Sequence, residues 1–193
     1  MYLTKQQRYL TKQQRYATLS IILHWIMFLL LVAVYSCIEL REIYPKGSEP
    51  RDTLKTWHFM LGLSVFVLVW VRLIARWVTQ TPEIHPPITK WQKLLAKAFH
   101  FGLYILMICM PIAGWLILSA EGKPIPFFGL NLPPLIAENE VLSETIEQVH
   151  KTAGTIGYYL IGLHMFAGLF HHYIQRDNTL QRMIPMFKPK SEP

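Results

Sequence analysis

Residues Phe59–Val71 read FMLGLSVFVLVWV, an apolar run with no polar face at helical spacing. A helix of a soluble bundle keeps polar side chains opposite its core. This run does not, so it reads as membrane-crossing helix rather than buried core. Extended in both directions it gives a span over Lys55–Trp77. Thr18–Ile38, Leu94–Leu118 and His150–Tyr173 have the same character. Each approaches the ~20 apolar residues that a hydrocarbon core of ~30 Å requires. Backbone amides find no water there, which selects helices. The expected fold is all-α, an integral membrane four-helix transmembrane bundle over residues 18–175. An N-terminal arm, 1–17, precedes it and a tail, 176–193, follows.

The whole chain agrees. Of its 193 residues 52% are hydrophobic and 16% charged, where about a quarter charged is usual, and mean hydropathy is +0.25. Disorder is excluded, and so is nucleic-acid binding despite the net charge of +7. The bases are sorted by side. Lys5, Arg8, Lys12 and Arg15 precede the first span; Arg72, Arg76, Lys90, Lys93 and Lys97 flank the second connection; Arg176, Arg182, Lys188 and Lys190 follow the fourth span. These thirteen share one side with only Glu83, Asp177 and Glu192, a net of +10, while the other side nets −3. The positive-inside rule then places both termini in the cytoplasm.

The first span is too long for a signal-peptide core and reads as an uncleaved helix. The arm holds a tandem heptad, Tyr2–Arg8 repeated as Tyr9–Arg15, too few copies for a solenoid. Cys37 and Cys109 fall inside spans and are expected as buried free thiols. The chain lacks Cys-x-x-Cys-His, so haem is not attached covalently.

Histidines carry the chemistry. His24, His58, His100, His150, His164, His171 and His172 lie in or at the ends of spans, where ionisable groups mark function. His150 and His164 are fourteen residues apart, which returns them to within ~40° of one helix face and separates them by ~21 Å. Depth supplies partners. His58 opens the second span at the level of His150, and His24 stands six residues into the first span, at the level of His164. Zinc wants four ligands, or three and a water. A porphyrin leaves two axial positions, so two histidines per level complete a haem site. Gly62, Gly154 and Gly168 each follow a candidate ligand by four residues and let a bulky plane approach the backbone; helix packing at small residues is the competing explanation. Arg72 follows His58 by fourteen residues. It is expected either as bidentate partner of an inner haem propionate or as a snorkelling cation.

These residues resemble the prokaryotic cytochrome b561 family, related to cytochrome b subunits of nickel hydrogenases and formate dehydrogenases. The resemblance runs from about Tyr16 to Pro185 and rests on Ile22-Leu23-His24-Trp25, Lys55-Thr56-Trp57-His58, Val71-Arg72-Leu73, Phe128-Gly129-Leu130, Gly162-Leu163-His164, His171-His172-Tyr173 and Asp177–Met183. The duplicated heptad departs from it. The family implies a four-helix bundle in a bacterial inner membrane, two haem b groups with bis-His ligation, and electron exchange with quinone. Within it the chain is most similar to superoxide oxidases, which pass electrons to ubiquinone.

That resemblance gives further residues a role. Arg51, Lys55 and Lys151 lie near the outer histidines and are expected to form a cationic funnel for superoxide, helped by the positive ends of two helices. The loop Ser119–Val149 is expected across this side. His171, two turns below His164, is a candidate to bind or protonate quinone, with His100 as the second; a hydrogen bond to a neighbouring helix competes for each. The alternative function is a haem-bearing membrane anchor linking a dehydrogenase or other redox partner to the quinone pool. A haem-free transport or structural protein is the third class.

Overall fold

The computed structural model describes residues 15–184, so the duplicated heptad lies outside the described residues but for Arg15. Four helices are long and apolar enough to cross a membrane. They are α1 (Thr18–Leu40), α2 (Glu49–Trp77), α3 (Lys90–Ala120) and α4 (Glu140–Tyr173). Between α3 and α4 lies a small antiparallel hairpin, β1 (Ile125–Phe127) with β2 (Leu130–Leu132).

Helix starts follow local chemistry. In α2, Pro50 sits in the first turn with Glu49 and Asp52, where its fixed φ and their charge suit the free amides and the dipole. Thr89 and Gln92 close a capping box on α3. The Asn139 side chain accepts from the Leu142 amide at 3.0 Å and starts α4 ten residues before His150. With 34 residues, α4 is ~51 Å long and its polar first turns, with Glu144, Glu147 and Lys151, stand beyond a hydrocarbon core of ~30 Å. The outer connection is correspondingly shorter than the expected Ser119–Val149. Its hairpin turns through Phe128 and Gly129, with φ of 46° and 87°, the conformation a tight hairpin demands. It is anchored by Trp115 Nε1 donating to Pro133 O (3.0 Å) and by the Leu135 amide donating to Ser119 Oγ (3.0 Å).

Packing proceeds α1 on α2, α2 on α3, and α3 on α4. Met27, Val65, Val69, Leu103 and Met107 form the central core, with Leu160 and Ile161 of α4 against its edge. Leu63, Leu118 and Ile125 form a second cluster under the hairpin. Large apolar side chains such as Leu29, Trp77, Phe101 and Phe166 face outward, as suits a lipid solvent. The side of the bundle between α1 and α4 is bridged by polar side chains. Tyr35 Oη donates to Gly154 O at 2.9 Å, and Tyr158 Oη donates to a Glu39 carboxylate oxygen at 2.6 Å. The two rings lie 4.3 Å apart.

Gly157 makes this approach possible, because a Cβ there would collide with the Tyr35 hydroxyl and come within 3.1 Å of Leu106. Overpacking of this kind costs ~1–3 kcal/mol. Gly157→Val is therefore expected to lower the melting temperature of the detergent-solubilised protein by ~2–12 °C, read by circular dichroism.

Candidate haem-binding core and inner clasp

Each helix brings histidine inward by a different route. His58 Nδ1 lies 3.0 Å from Val34 O. A carbonyl only accepts, so Nδ1 carries the proton and Nε2 keeps its lone pair for a metal. On α4, His150 lies against α3, where a Cβ on Gly114 would stand 3.7 Å from its ring. His150 Nδ1 is buried without a hydrogen-bond partner among the described residues. His24 and His164 meet near the other end.

The two expected pairs both form, with matching geometry. His24 and His164 have ring centroids 6.1 Å apart and planes at 72°; His58 and His150 have 6.4 Å and 73°. An imidazole nitrogen binds metal at about 2.0 Å; with ring radii added, two rings across one metal atom stand ~6.4 Å apart. Among the described residues no group of three or more His, Cys, Asp or Glu is arranged to hold a metal ion. Each expected pair thus offers two imidazole nitrogens, which fits a macrocycle that brings its own equatorial nitrogens. A Cβ on Gly62 or Gly168 would meet nothing within 4 Å, and one on Gly154 only Met110 Cε at 3.6 Å. The glycines one turn from the histidines therefore border open groove.

Arg72 is 8% exposed, and its Nη1 donates to Ser20 O at 3.2 Å. It enters none of the ion pairs found among the described residues. Tyr104 Oη is also buried and has no hydrogen-bond partner among the described residues. A buried guanidinium without a carboxylate is costly, and a propionate is the kind of group that would relieve it. His100 stands 5.2 Å from His164, closer than His24 does, while its Nδ1 donates to Ala96 O of its own helix at 2.5 Å.

The expected cationic funnel is narrower than the sequence reading had it. Arg51 is paired to Glu42 at 2.9 Å and donates to Arg41 O and Tyr44 O, which staples the connection between α1 and α2. Lys151 is paired to Glu147 at 2.8 Å. Of the three cations, Lys55 alone enters no ion pair found among the described residues, and its Nζ lies 5.6 Å from the Phe59 ring centroid.

At the opposite end residues 177–183 fold back as a clasp. Asn178 bonds His85, Arg182 donates to Pro82 O, and Trp25 Nε1 donates to Met183 O at 2.8 Å. The Tyr16 ring lies between Arg76 and Arg182. His171 Nδ1 is 2.5 Å from Asp177 Oδ2, and Asp177 Oδ1 accepts from the Thr179 amide at 2.8 Å. The role of Asp177 escaped the sequence reading. Its available signal was that it is one of only three acids on the basic side.

Comparison with known proteins agrees. A family model described as prokaryotic cytochrome b561 matches residues 15–186, and the chain belongs to that family. It is 40% identical over 169 residues to cytochrome b561 homolog 1 of Escherichia coli (strain K12), covering 88% of this chain and 96% of that one. It is 36% identical over 167 residues to the probable superoxide oxidase CybB of Yersinia pestis, covering 86% and 94%. The protein is thus a multi-pass bacterial membrane cytochrome of electron transfer, and its family carries haem b.

The clasp has a defined acid limit. Burial raises the Asp177 carboxyl, but hydrogen bonds from His171 and Thr179 outweigh it and hold it below the usual carboxylate range. A depressed carboxyl stabilises the fold above its unfolded value of about 3.9, and that contribution fades as pH falls through the folded value. Protection of the Thr179 amide from hydrogen exchange is expected to persist at pH ~5 and to be lost only below pH ~3.9.

Proposed function

We propose that the chain holds two haem b groups, one between His58 and His150 and one between His24 and His164, and transfers electrons from superoxide at the outer face to ubiquinone at the inner face. The orientation has both termini in the cytoplasm of a bacterium and the bundle in its inner membrane. The repeated pair geometry is the observation that carries this reading: two pairs of imidazoles, with ring centroids 6.1 and 6.4 Å apart, the spacing that one metal atom between two rings requires. Haem bound at both levels supplies one-electron carriage across the bilayer.

The chain's own residues do the remainder. The Val34 carbonyl fixes the His58 tautomer, and Arg72, with Tyr104 as a further hydrogen-bond donor, holds a propionate at the inner level. Oxidation of superoxide to dioxygen removes an electron and moves no proton, so it needs no protein acid or base. Two superoxide anions each lose one electron and become dioxygen. One ubiquinone gains both electrons and takes two protons from the cytoplasmic side. Lys55, one turn before Phe59 and beside His58, draws the anion inward. The probable superoxide oxidase among the relatives supports the choice of substrate.

Haem counted per chain by reduced-minus-oxidised spectra tests the ligand sets. Purified protein is expected to hold two. His58→Ala or His150→Ala should retain one, and His24→Ala or His164→Ala the other; two haems surviving in any of these overturns the pairing. Isolated protein should also be reduced by superoxide and reoxidised by a ubiquinone analogue. Failure of the first step with success of the second points to the anchor role instead. Lys55→Gln should slow reduction by superoxide a few-fold and flatten its dependence on ionic strength.

A further inference from the structure

We propose that Asp177 is the positioning residue that makes His171 the proton donor to the quinone. This rests on the reading that quinone is reduced at the inner end. The motif around Asp177 marks the family, but the pair it makes with His171 is a feature of the folded chain.

The geometry is specific. Asp177 is 3% exposed and is the one acid among clasp residues 177–183. Its two oxygens are divided between two donors. Oδ2 faces His171 Nδ1 at 2.5 Å, and Oδ1 takes the Thr179 amide at 2.8 Å. The Asp177 amide in turn donates to His171 O at 3.1 Å, so backbone and side chain close one ring from α4 onto the clasp. A carboxylate only accepts, which fixes the proton on Nδ1 and reserves Nε2 for chemistry. Nε2 makes none of the hydrogen bonds found among the described residues, and the His171 side chain keeps 18% of its surface exposed. His171 lies seven residues beyond His164, two turns further along the same helix face. The imidazole therefore stands between the inner pair and the cytoplasmic surface, where a proton must enter.

Charged groups around the pair come from every neighbouring element. Arg182 belongs to the clasp and Arg76 to α2, with the Tyr16 ring between them; Arg176 ends the helix turn. In the loop before α3, Glu83 is paired with His85 at 3.7 Å. His172 follows His171 on another face of α4. The bonds from His171 and Thr179 keep the Asp177 carboxylate ionised. In the step, the Nε2–H bond of an imidazolium breaks and the proton passes to a quinone oxygen as the electron arrives. Neutral imidazole remains, still donating Nδ1–H to Asp177, and is reloaded by water from the cytoplasmic side. Two such deliveries complete the quinol.

The test uses the haem-loaded full chain in detergent, reduced beforehand and mixed in a stopped flow with a short-tailed ubiquinone analogue or with ferricyanide, which takes electrons without protons. Asp177→Asn is expected to slow reoxidation by quinone about 10- to 100-fold, with haem content and the ferricyanide rate unchanged. In a His171→Gln background Asp177→Asn should add nothing further. A wild-type quinone rate in Asp177→Asn, or losses that multiply in the double variant, overturns the proposal. Should Asp177→Asn fail to bind haem, His171→Gln decides: an unchanged quinone rate overturns it, and a slowed quinone rate with the ferricyanide rate unchanged supports it. If the wild type itself is not reoxidised by quinone while ferricyanide oxidises it, the proposed function falls first.

Discussion

Hydrocarbon offers no hydrogen-bond partner, and that constraint governs every polar group in this bundle. The backbone meets it with four long helices. The side chains meet it by local bonds that leave one atom free. His58 gives Nδ1 to the Val34 carbonyl, His100 gives Nδ1 to Ala96, and Tyr35 donates to the Gly154 carbonyl. A half-satisfied imidazole in such a medium is expensive unless a metal completes it. The same economy of partners that stabilises the fold thus shapes ligands at two depths.

Helix α4 organises both depths. Its period places His150 and His164 on one face, and its partners on α1 and α2 enter from opposite ends, so each finds a histidine at its own level. The helix contributes little to the buried core, which is built by α1, α2 and α3. It packs along α3, and toward α1 it is attached through Gly157, Tyr35 and the Tyr158–Glu39 hydrogen bond. Gly62 and Gly168, one turn from His58 and His164, each border open space.

The spans were legible because hydropathy is a local property, and the pairs because helical rise and period convert residue number into depth and face. The same arithmetic found Arg72. It could not see the ten residues of α4 before His150, since Glu140, Glu144 and Glu147 make that stretch as polar as a loop; its start depends on the Asn139 cap. Nor did it see the hairpin, whose strands have three residues each. Arg51 and Lys151 illustrate a different limit. Charge counting shows which side a cation occupies, but only the folded chain shows that Glu42 and Glu147 already hold these two.

Charge placement at the inner end follows the same distinction. Bases there orient the bundle collectively, and no single one is needed for that purpose. An acid on that side works against the orientation, so its presence calls for a local cause. Glu83 has one in its contact with His85 at the surface. Asp177 is buried, and burial removes the solvent that would make an isolated carboxylate cheap. Its cause must lie in what its oxygens touch, and those are the Thr179 amide that folds the clasp and the imidazole that ends the histidine face of α4. One carboxylate therefore joins the fold of this end of the bundle to the orientation of the last imidazole on the histidine face of α4.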